Sequence, residues 1–324
     1  MEHSRLKKGA SSVHFVHDSR WLVCVNAMIT RYASSVDRPL RSAAAKTLIA
    51  HRGACAYAPE HTLASYRLAL QQGADYVEQD LAVTSDGALI CLHDDSLERT
   101  TNVADVFPER AVVDRATGRK QWLAVDFTLA EIKRLDAGAW FDARFAGERI
   151  PTWEEAVSAV GGEAGLYPEL KTPTLYVARG IDQTALFVES ITRFGLHTRS
   201  AGSLIVQSFE ARPLQALTRE FPSLGRTFLF EVPDGARWLS SSGLAEAASF
   251  ATGIAPDKAL LDNRPDLVDA AHAAGLTVTP WTFTTRGGAG SGRFGSLTDE
   301  MRYYLYDLGV DALFTDNPDR FPRG

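Results

Sequence analysis

Cysteine is scarce: Cys24, Cys55 and Cys91 are the only three in 324 residues, and none stands in a CxxC pair. Such spacing excludes a zinc knuckle and a disulfide-stapled scaffold. Long apolar runs are missing as well, since no stretch approaches the roughly 18 uninterrupted apolar residues of a membrane-spanning helix. Nor is there a basic excess: 34 Lys and Arg face 40 Asp and Glu, a formal net charge of −6. That balance argues against a nucleic-acid backbone as the main partner, because clustered Lys and Arg hold such a backbone. There is no internal repeat, and no low-complexity tract beyond a Gly-rich loop over 286–295. What is there, 45% hydrophobic and 23% charged residues, is the composition of an enzyme-sized globular body. The length admits two domains, or one barrel of about 250 residues.

The first 45 residues differ from the rest. Arg5, Lys7 and Lys8 precede an apolar run from Trp21 to Ile29, and Ser42-Ala43-Ala44-Ala45 follows. A basic region, an apolar core and small residues are the parts of a secretory signal. Asn26 interrupts the core and Arg20 borders it, so a plain N-terminal extension, with Met28 as an alternative start, is the other reading. The compartment, cytoplasmic or exported, therefore stays open at this point.

From Thr47 onward short β-rich runs alternate with helical ones, the signature of parallel βα units. Strands are predicted at Thr47–His51, Tyr76–Leu81, Leu166–Leu170, Leu204–Ser208, Arg226–Phe230, Ala251–Ala255, Leu276–Trp281 and Asp311–Thr315. Helical spacing falls at Thr62–Gln72, Thr152–Val160, Thr184–Phe194, Ala211–Phe221 and Pro265–Ala274. Eight strands is the number that closes a (β/α)8 TIM barrel. One run departs from the alternation: Asp86-Gly87 sits between two β-type stretches and signals a hairpin. If those two residues form the turn, paired positions sum to 173, and Asp80 stands directly opposite His93.

Glu78 and Asp80 lie two apart on a predicted strand, so both face the same way. Two bare carboxylates inside a barrel repel each other and lose hydration. A hard divalent cation resolves both costs, because it takes carboxylate oxygens as ligands. Glu169 and Lys171 repeat the i, i+2 pattern on the next barrel strand. Three carboxylates and two histidines, His51 and His93, at the C-terminal strand ends would form an open metal site. Arg52 adds a fork of donors suited to phosphate or carboxylate oxygens. Histidines titrate near neutrality and serve as acid and base. Cys55 and Cys91, flanked by apolar residues, read as core packing. Trp281, Phe283 and Phe209 read either as packing at the barrel mouth or as pocket lining.

Taken together these motifs resemble the glycerophosphodiester phosphodiesterase family. The resemblance is carried by Ile49-Ala50-His51-Arg52-Gly53, Pro59-Glu60-His61-Thr62, Glu78-x-Asp80, Thr84-x-Asp86-Gly87, His93-Asp94 and Glu169-Leu170-Lys171. Gln207-Ser208-Phe209, Trp281-Thr282 and Phe314-Thr315-Asp316-x-Pro318 extend it in the family's order. It implies a barrel over residues 46–324, with an insertion over about 94–150 after the first hairpin. It further implies hydrolysis of glycerophosphodiesters to sn-glycerol 3-phosphate and an alcohol. One divalent cation, Ca²⁺ or Mg²⁺, would be held by Glu78, Asp80 and Glu169. His51 and His93 would act as the catalytic acid–base pair, with Arg52, Lys171 and Trp281 binding the substrate and its phosphate. Two positions depart from the pattern: His61 replaces the usual Asn after Pro-Glu, and Phe283-Thr284 replaces the Asn that often follows Trp-Thr. Both bear on substrate choice rather than on the metal or acid–base set.

Two rival readings follow from the same residues. The site would serve a lysophospholipase D acting on lipids, with Trp140, Phe141 and Phe145 as apolar contacts in the insertion. A non-catalytic phosphate-binding protein would keep Arg52 and Lys171 but would have no use for two histidines and three carboxylates. The expected partner is a small-molecule diester, without nucleic acid or stable membrane insertion. The oligomeric state is not legible.

Overall fold

The computed structural model describes residues 46–198, 202–286 and 293–323. The N-terminal segment 1–45, with its two readings, and most of the Gly-rich loop lie outside the described residues.

Eight parallel strands form the body: β1 (Thr47–Ala50), β2 (Tyr76–Val83), β3 (Gly165–Leu170), β4 (Ile205–Ser208), β5 (Gly225–Phe230), β6 (Gly253–Pro256), β7 (Thr277–Val278) and β8 (Ala312–Thr315). Their spatial order is β7-β6-β5-β4-β3-β2-β1-β8, so chain neighbours are sheet neighbours. The seam closes just beyond β7. There the Phe283 N–H donates to Phe314 O at 2.9 Å, and the Phe314 N–H donates to Pro280 O at 3.1 Å. A parallel bridge between Phe283 and Thr315 completes the circuit. The result is the (β/α)8 barrel that the alternation implied. The predicted strand Leu276–Trp281 is regular only over Thr277–Val278, because Pro280 has no N–H to give a ladder.

Side-chain parity along the strands places the site. Leu48, Ala50, Val77, Leu81, Leu166, Leu170 and Val206 point outward into the layers between sheet and helices. Ile49, Tyr76, Tyr167, Leu229 and Phe314 point inward and fill the barrel floor. The inward parity of Tyr76 carries on to Glu78 and Asp80, and that of Tyr167 to Glu169. Carboxylates thus occupy the upper layer, above the aromatic floor.

Helices fall where the 3.6-residue spacing predicted them, including Leu63–Gln71, Trp153–Val160 and Gln183–Arg193. Trp153–Val160 opens on a capping box between Thr152 and Glu155. Among the described residues, three helices of six residues or more escape the sequence reading: Val232–Trp238, Ser241–Ala248 and Leu297–Arg302. Two of them carry an internal glycine, which dilutes an apolar stripe and lowers helix propensity. A Cβ on Gly243 would collide with the backbone of Arg237 and Trp238, so this glycine marks a close helix contact.

The hairpin after β2 forms, but one residue out of the predicted register. The return strand Leu89–Cys91 pairs Leu81 with Cys91 and Val83 with Leu89. The turn takes three residues, 85–87, closed by Thr84 N–H donating to Ala88 O at 3.0 Å. Gly87 supplies the left-handed position at φ 83°, the three-residue hairpin with glycine at that site. Leu92, not His93, therefore lies across from Asp80, and its N–H donates to Asp80 O at 2.9 Å. Beyond the hairpin, Leu97, Val103, Phe107, Trp122, Phe127, Ile132 and Leu135 gather with Ile90 and Leu92 into a core of their own. Among the described residues, no helix is long and apolar enough to cross a membrane.

Candidate active site

The site begins where β1 ends. Arg52 adopts a left-handed backbone, φ 54°, and its N–H donates to Glu78 Oε2 at 2.6 Å. The following Gly53, at φ 85°, abuts Ser65, whose side chain and backbone leave no room for a Cβ. Glycine is therefore required for this turn. The Arg52 guanidinium donates to Glu60 Oε1 at 3.0 Å, and its Nε lies 3.5 Å from Asp80 Oδ2.

Asp80 and Glu169 are register partners on β2 and β3, and Gln207 on β4 is the next partner in the row. Lys171 Nζ reaches Glu169 Oε1 at 3.3 Å and Asp80 Oδ1 at 4.0 Å. Glu78, Asp80 and Glu169 are all buried, and their charges are unevenly compensated. Burial, and then the charge of Asp80, hold Glu78 well above the usual carboxylate range. Burial likewise pushes Glu169 up to about 8 against the pull of Lys171. Asp80 moves the other way: Lys171 and the His61 hydrogen bond overcome burial and hold it well below.

Both histidines named from the sequence are tethered in the same manner. His51 Nδ1 meets Asp316 Oδ1 at 2.7 Å, and His93 Nδ1 meets Asp94 Oδ1 at 2.7 Å. An ionised carboxylate only accepts, so Nδ1 carries the proton in each ring and a neutral ring keeps its lone pair on Nε2. Burial first, and then the neighbouring Arg52 charge, lower the His51 pKa against the pull of Asp316. The His51 side chain is 18% exposed and that of His93 31%, so His51 lies deeper in the mouth.

His61, the departure from the family pattern, is buried and also left-handed at φ 54°. Its Nε2–H donates to Asp80 Oδ2 at 2.8 Å, so this departure does touch the proposed metal set, contrary to the expectation that it bears on substrate choice alone. Its Nδ1 stands 3.0 Å from the Tyr66 hydroxyl; burial lowers its pKa and favours the neutral ring, to which the hydroxyl donates. Histidine is among the few non-glycine residues enriched in the left-handed region, which is how it fills an Asn position.

Sequence reasoning passed over several partners. In sequence Asp316 and Asp94 stand only as motif letters, although an Asp directly after His93 is a visible signal. Glu60 is shared by Arg52 and by Arg99 of the insertion, whose Nη1 and Nη2 donate at 2.9 and 2.7 Å. Arg99 also pairs with Asp94. Nothing local in the sequence marked Arg99. Trp281 donates from its indole to Ala255 O at 2.8 Å and stands edge-on to Phe209 at 5.7 Å. Trp140 and Phe145 each meet Phe141 edge-to-face, and Arg286 lies over Phe141.

Ligand atoms of Glu78 and Asp80 fall within 4.8 Å of one another together with His61, not Glu169, while Glu169 stands beside Asp80 as its register partner; such carboxylate oxygens suit a hard divalent cation. Gln207, the register partner of Glu169, donates its amide to Glu78 Oε1 at 3.3 Å and leaves its buried Oε1 without a hydrogen-bond partner. Neutralising Glu78 and Glu169 with protons is the alternative to a cation, and their raised pKa values express that need.

The model of the glycerophosphoryl diester phosphodiesterase family matches residues 51–320. A glycerophosphodiester phosphodiesterase of Bacillus subtilis is 31% identical over 305 residues, spanning 91% of this chain and 92% of that protein. Another from Haemophilus influenzae is 29% identical over 328 residues, with coverages of 85% and 88%. Among solved structures, an Oleispira antarctica phosphodiesterase in complex with the product sn-glycerol-3-phosphate superposes with a TM-score of 0.66 at 28% identity. That match covers 85% of this chain and 95% of the other. Barrel and relatives together define an enzyme of the phosphoric diester hydrolase class. The chain belongs to the glycerophosphoryl diester phosphodiesterase family.

Proposed function

We propose that the protein hydrolyses glycerophosphodiesters to sn-glycerol 3-phosphate and an alcohol, with His51 as base and His93 as acid. The observation that carries this reading is the pair of His–carboxylate tethers flanking one buried carboxylate cluster. Glu78, Asp80 and Glu169 would hold one Ca²⁺ or Mg²⁺, which when bound polarises phosphoryl oxygens and acidifies a neighbouring glycerol hydroxyl.

His51 is the deeper ring, and burial beside Arg52 favours its neutral form, as a base needs. Its Nε2 takes the proton of the glycerol 2-hydroxyl while that oxygen attacks phosphorus. His93, nearer solvent, gives a proton to the departing alcohol oxygen. The resulting cyclic phosphate opens by the reverse exchange, with His93 deprotonating water and His51 returning its proton to the 2-oxygen. In-line displacement keeps attacking and leaving oxygens on opposite sides, which suits two separate residues. The Arg52 Nε–H, without a hydrogen-bond partner, and Lys171 are the donors for the equatorial oxygens. Trp281 and Phe209 would wall the pocket. The insertion, about 94–150, would border the mouth through Arg99 and tune which alcohols enter.

Turnover on a panel of glycerophosphodiesters and lysolipids, with and without EDTA, tests this reading. Release of sn-glycerol 3-phosphate that stops with EDTA and returns with Ca²⁺ or Mg²⁺ supports it. Preference for lysolipids would transfer the function to the lysophospholipase D reading.

A further inference from the structure

Behind His51 lies a second group of ligating atoms with different chemistry. Atoms of His51, Cys55 and Asp316 all fall within 4.8 Å of one another. Backbone hydrogen bonds tie together the segments that carry them. His51 N–H donates to Thr315 O at 3.0 Å, and Ala56 N–H donates to Asp316 O at 3.0 Å. Cys55 is 2% exposed, whereas the His51 ring opens to the barrel mouth and offers the way in.

The two clusters differ in softness. Glu78, Asp80 and Glu169 present carboxylate oxygens, which Ca²⁺ and Mg²⁺ take as ligands, with the His61 ring beside the first two but no sulfur. The second cluster presents imidazole nitrogen, sulfur and one carboxylate, a donor set that selects zinc-like ions over hard ones. Three protein ligands leave a fourth position open.

We propose that His51, Cys55 and Asp316 form an inhibitory site for Zn²⁺ or a similar thiophilic divalent ion, distinct from the carboxylate site. Binding forms bonds from the ion to Cys55 Sγ, His51 Nδ1 and an Asp316 oxygen. The thiol proton passes to solvent, and the Nδ1 proton relocates through solvent to Nε2. That second change is the inhibitory one, because a ring protonated on Nε2 has no lone pair facing the substrate. Two ligand charges, thiolate and carboxylate, offset the two of the ion, while the guanidinium groups of Arg52 and Arg286 oppose it. Burial first, and then the Asp316 charge, push the Cys55 thiol well above its usual range against the pull of Arg286, which donates to the Cys55 carbonyl, so the ion itself must displace the thiol proton.

The test uses the full chain saturated with Ca²⁺ or Mg²⁺. Co²⁺ is added first as a spectroscopic probe, and a sulfur-to-cobalt charge-transfer absorption is expected. It should persist in Cys24→Ser and disappear in Cys55→Ser and Cys55→Ala. Zn²⁺ is then titrated against turnover. Cys55→Ser should raise the half-inhibiting concentration by more than the ~10–100-fold typical of losing a partner one shell further out. The inhibition rests on His51 being the base, but the cobalt signal does not, so failure of one reading is distinguishable from failure of the other. Absence of the thiolate band overturns the site. Zinc inhibition that is unchanged in Cys55→Ser and relieved by excess Ca²⁺ or Mg²⁺ overturns it too, and places zinc at the carboxylates.

Discussion

Asp316→Asn isolates the orienting role of the His51 tether, because it keeps volume and removes one charge. Asp316 faces more than His51: the Thr284 hydroxyl and the Cys55 thiol also stand close enough to help hold its carboxyl below the usual range. In the variant those donors claim the single amide oxygen, and the NH₂ group turns toward His51 Nδ1 across what is now a 2.7 Å contact. A donor there forces the ring proton to Nε2, the wrong end for a base. A misprotonated catalytic histidine loses up to about 10⁴ in rate. A fall of about 10³–10⁴ in kcat is thus expected, or about 4–5 kcal/mol at 1.36 kcal/mol per tenfold. Asp316 also raises the His51 pKa against burial. Without it the acidic limb of the kcat/KM profile should move to lower pH, since the base then deprotonates earlier. Release of sn-glycerol 3-phosphate across a pH series reads both effects, with a melting scan as the check on folding. A folded variant within tenfold of wild type, with its acidic limb unmoved, refutes the argument.

Glu78→Gln and Asp80→Asn should each abolish divalent-dependent turnover with the fold intact, and full activity in metal-free buffer would contradict this. His51→Ala and His93→Ala should each cost about 10²–10⁴-fold. On a glycerophospho-p-nitrophenyl ester, whose leaving group needs little acid, His93→Ala should largely recover; equal losses on both substrates count against the division of labour. Without divalent ions, Glu169 held up to about 8 and Glu78 held well above its range make stability fall as pH rises from about 4.5 toward 8. The gain in Tm from saturating Ca²⁺ should therefore be larger at about pH 8 than at about pH 6, and the same gain at both would disprove it. Exchange of residues 95–149 for a short connection should alter relative rates across alcohols more than metal affinity, and an unchanged profile argues against a bordering role.

Barrel and helices were legible because burial imposes a period. Tyr76, Glu78 and Asp80 must share a face, and one apolar stripe per helix shows in sequence. The hairpin register was not legible, since Thr84-Ser85-Asp86-Gly87-Ala88 suits a two- or a three-residue turn. The Thr84 hydroxyl bond to Asp86 Oδ1 at 2.6 Å decides for the longer one, and only coordinates reveal it. His51, His93, Arg52, Glu78, Asp80, Glu169 and Lys171 are proposed by motif, and contacts bring Arg52, Glu78, Asp80, Glu169 and Lys171 together. Their supports were not found, because Asp316 and Arg99 reach the site from sequence positions 265 and 39 residues away from their partners. No local pattern encodes such a meeting.

Glu60 is held down to about 2, chiefly by Arg99 and Arg52 working against burial. Only one of those two cations belongs to the barrel. The insertion is thus no ornament that evolution or an engineer can trade freely. A replacement segment that brings no cation to this spot leaves a buried carboxylate leaning harder on Arg52, and so draws that guanidinium away from Asp80. Inheritance of the barrel and inheritance of its insertion are coupled through a single side chain, and chimaeras between family members should survive or fail according to whether they carry it.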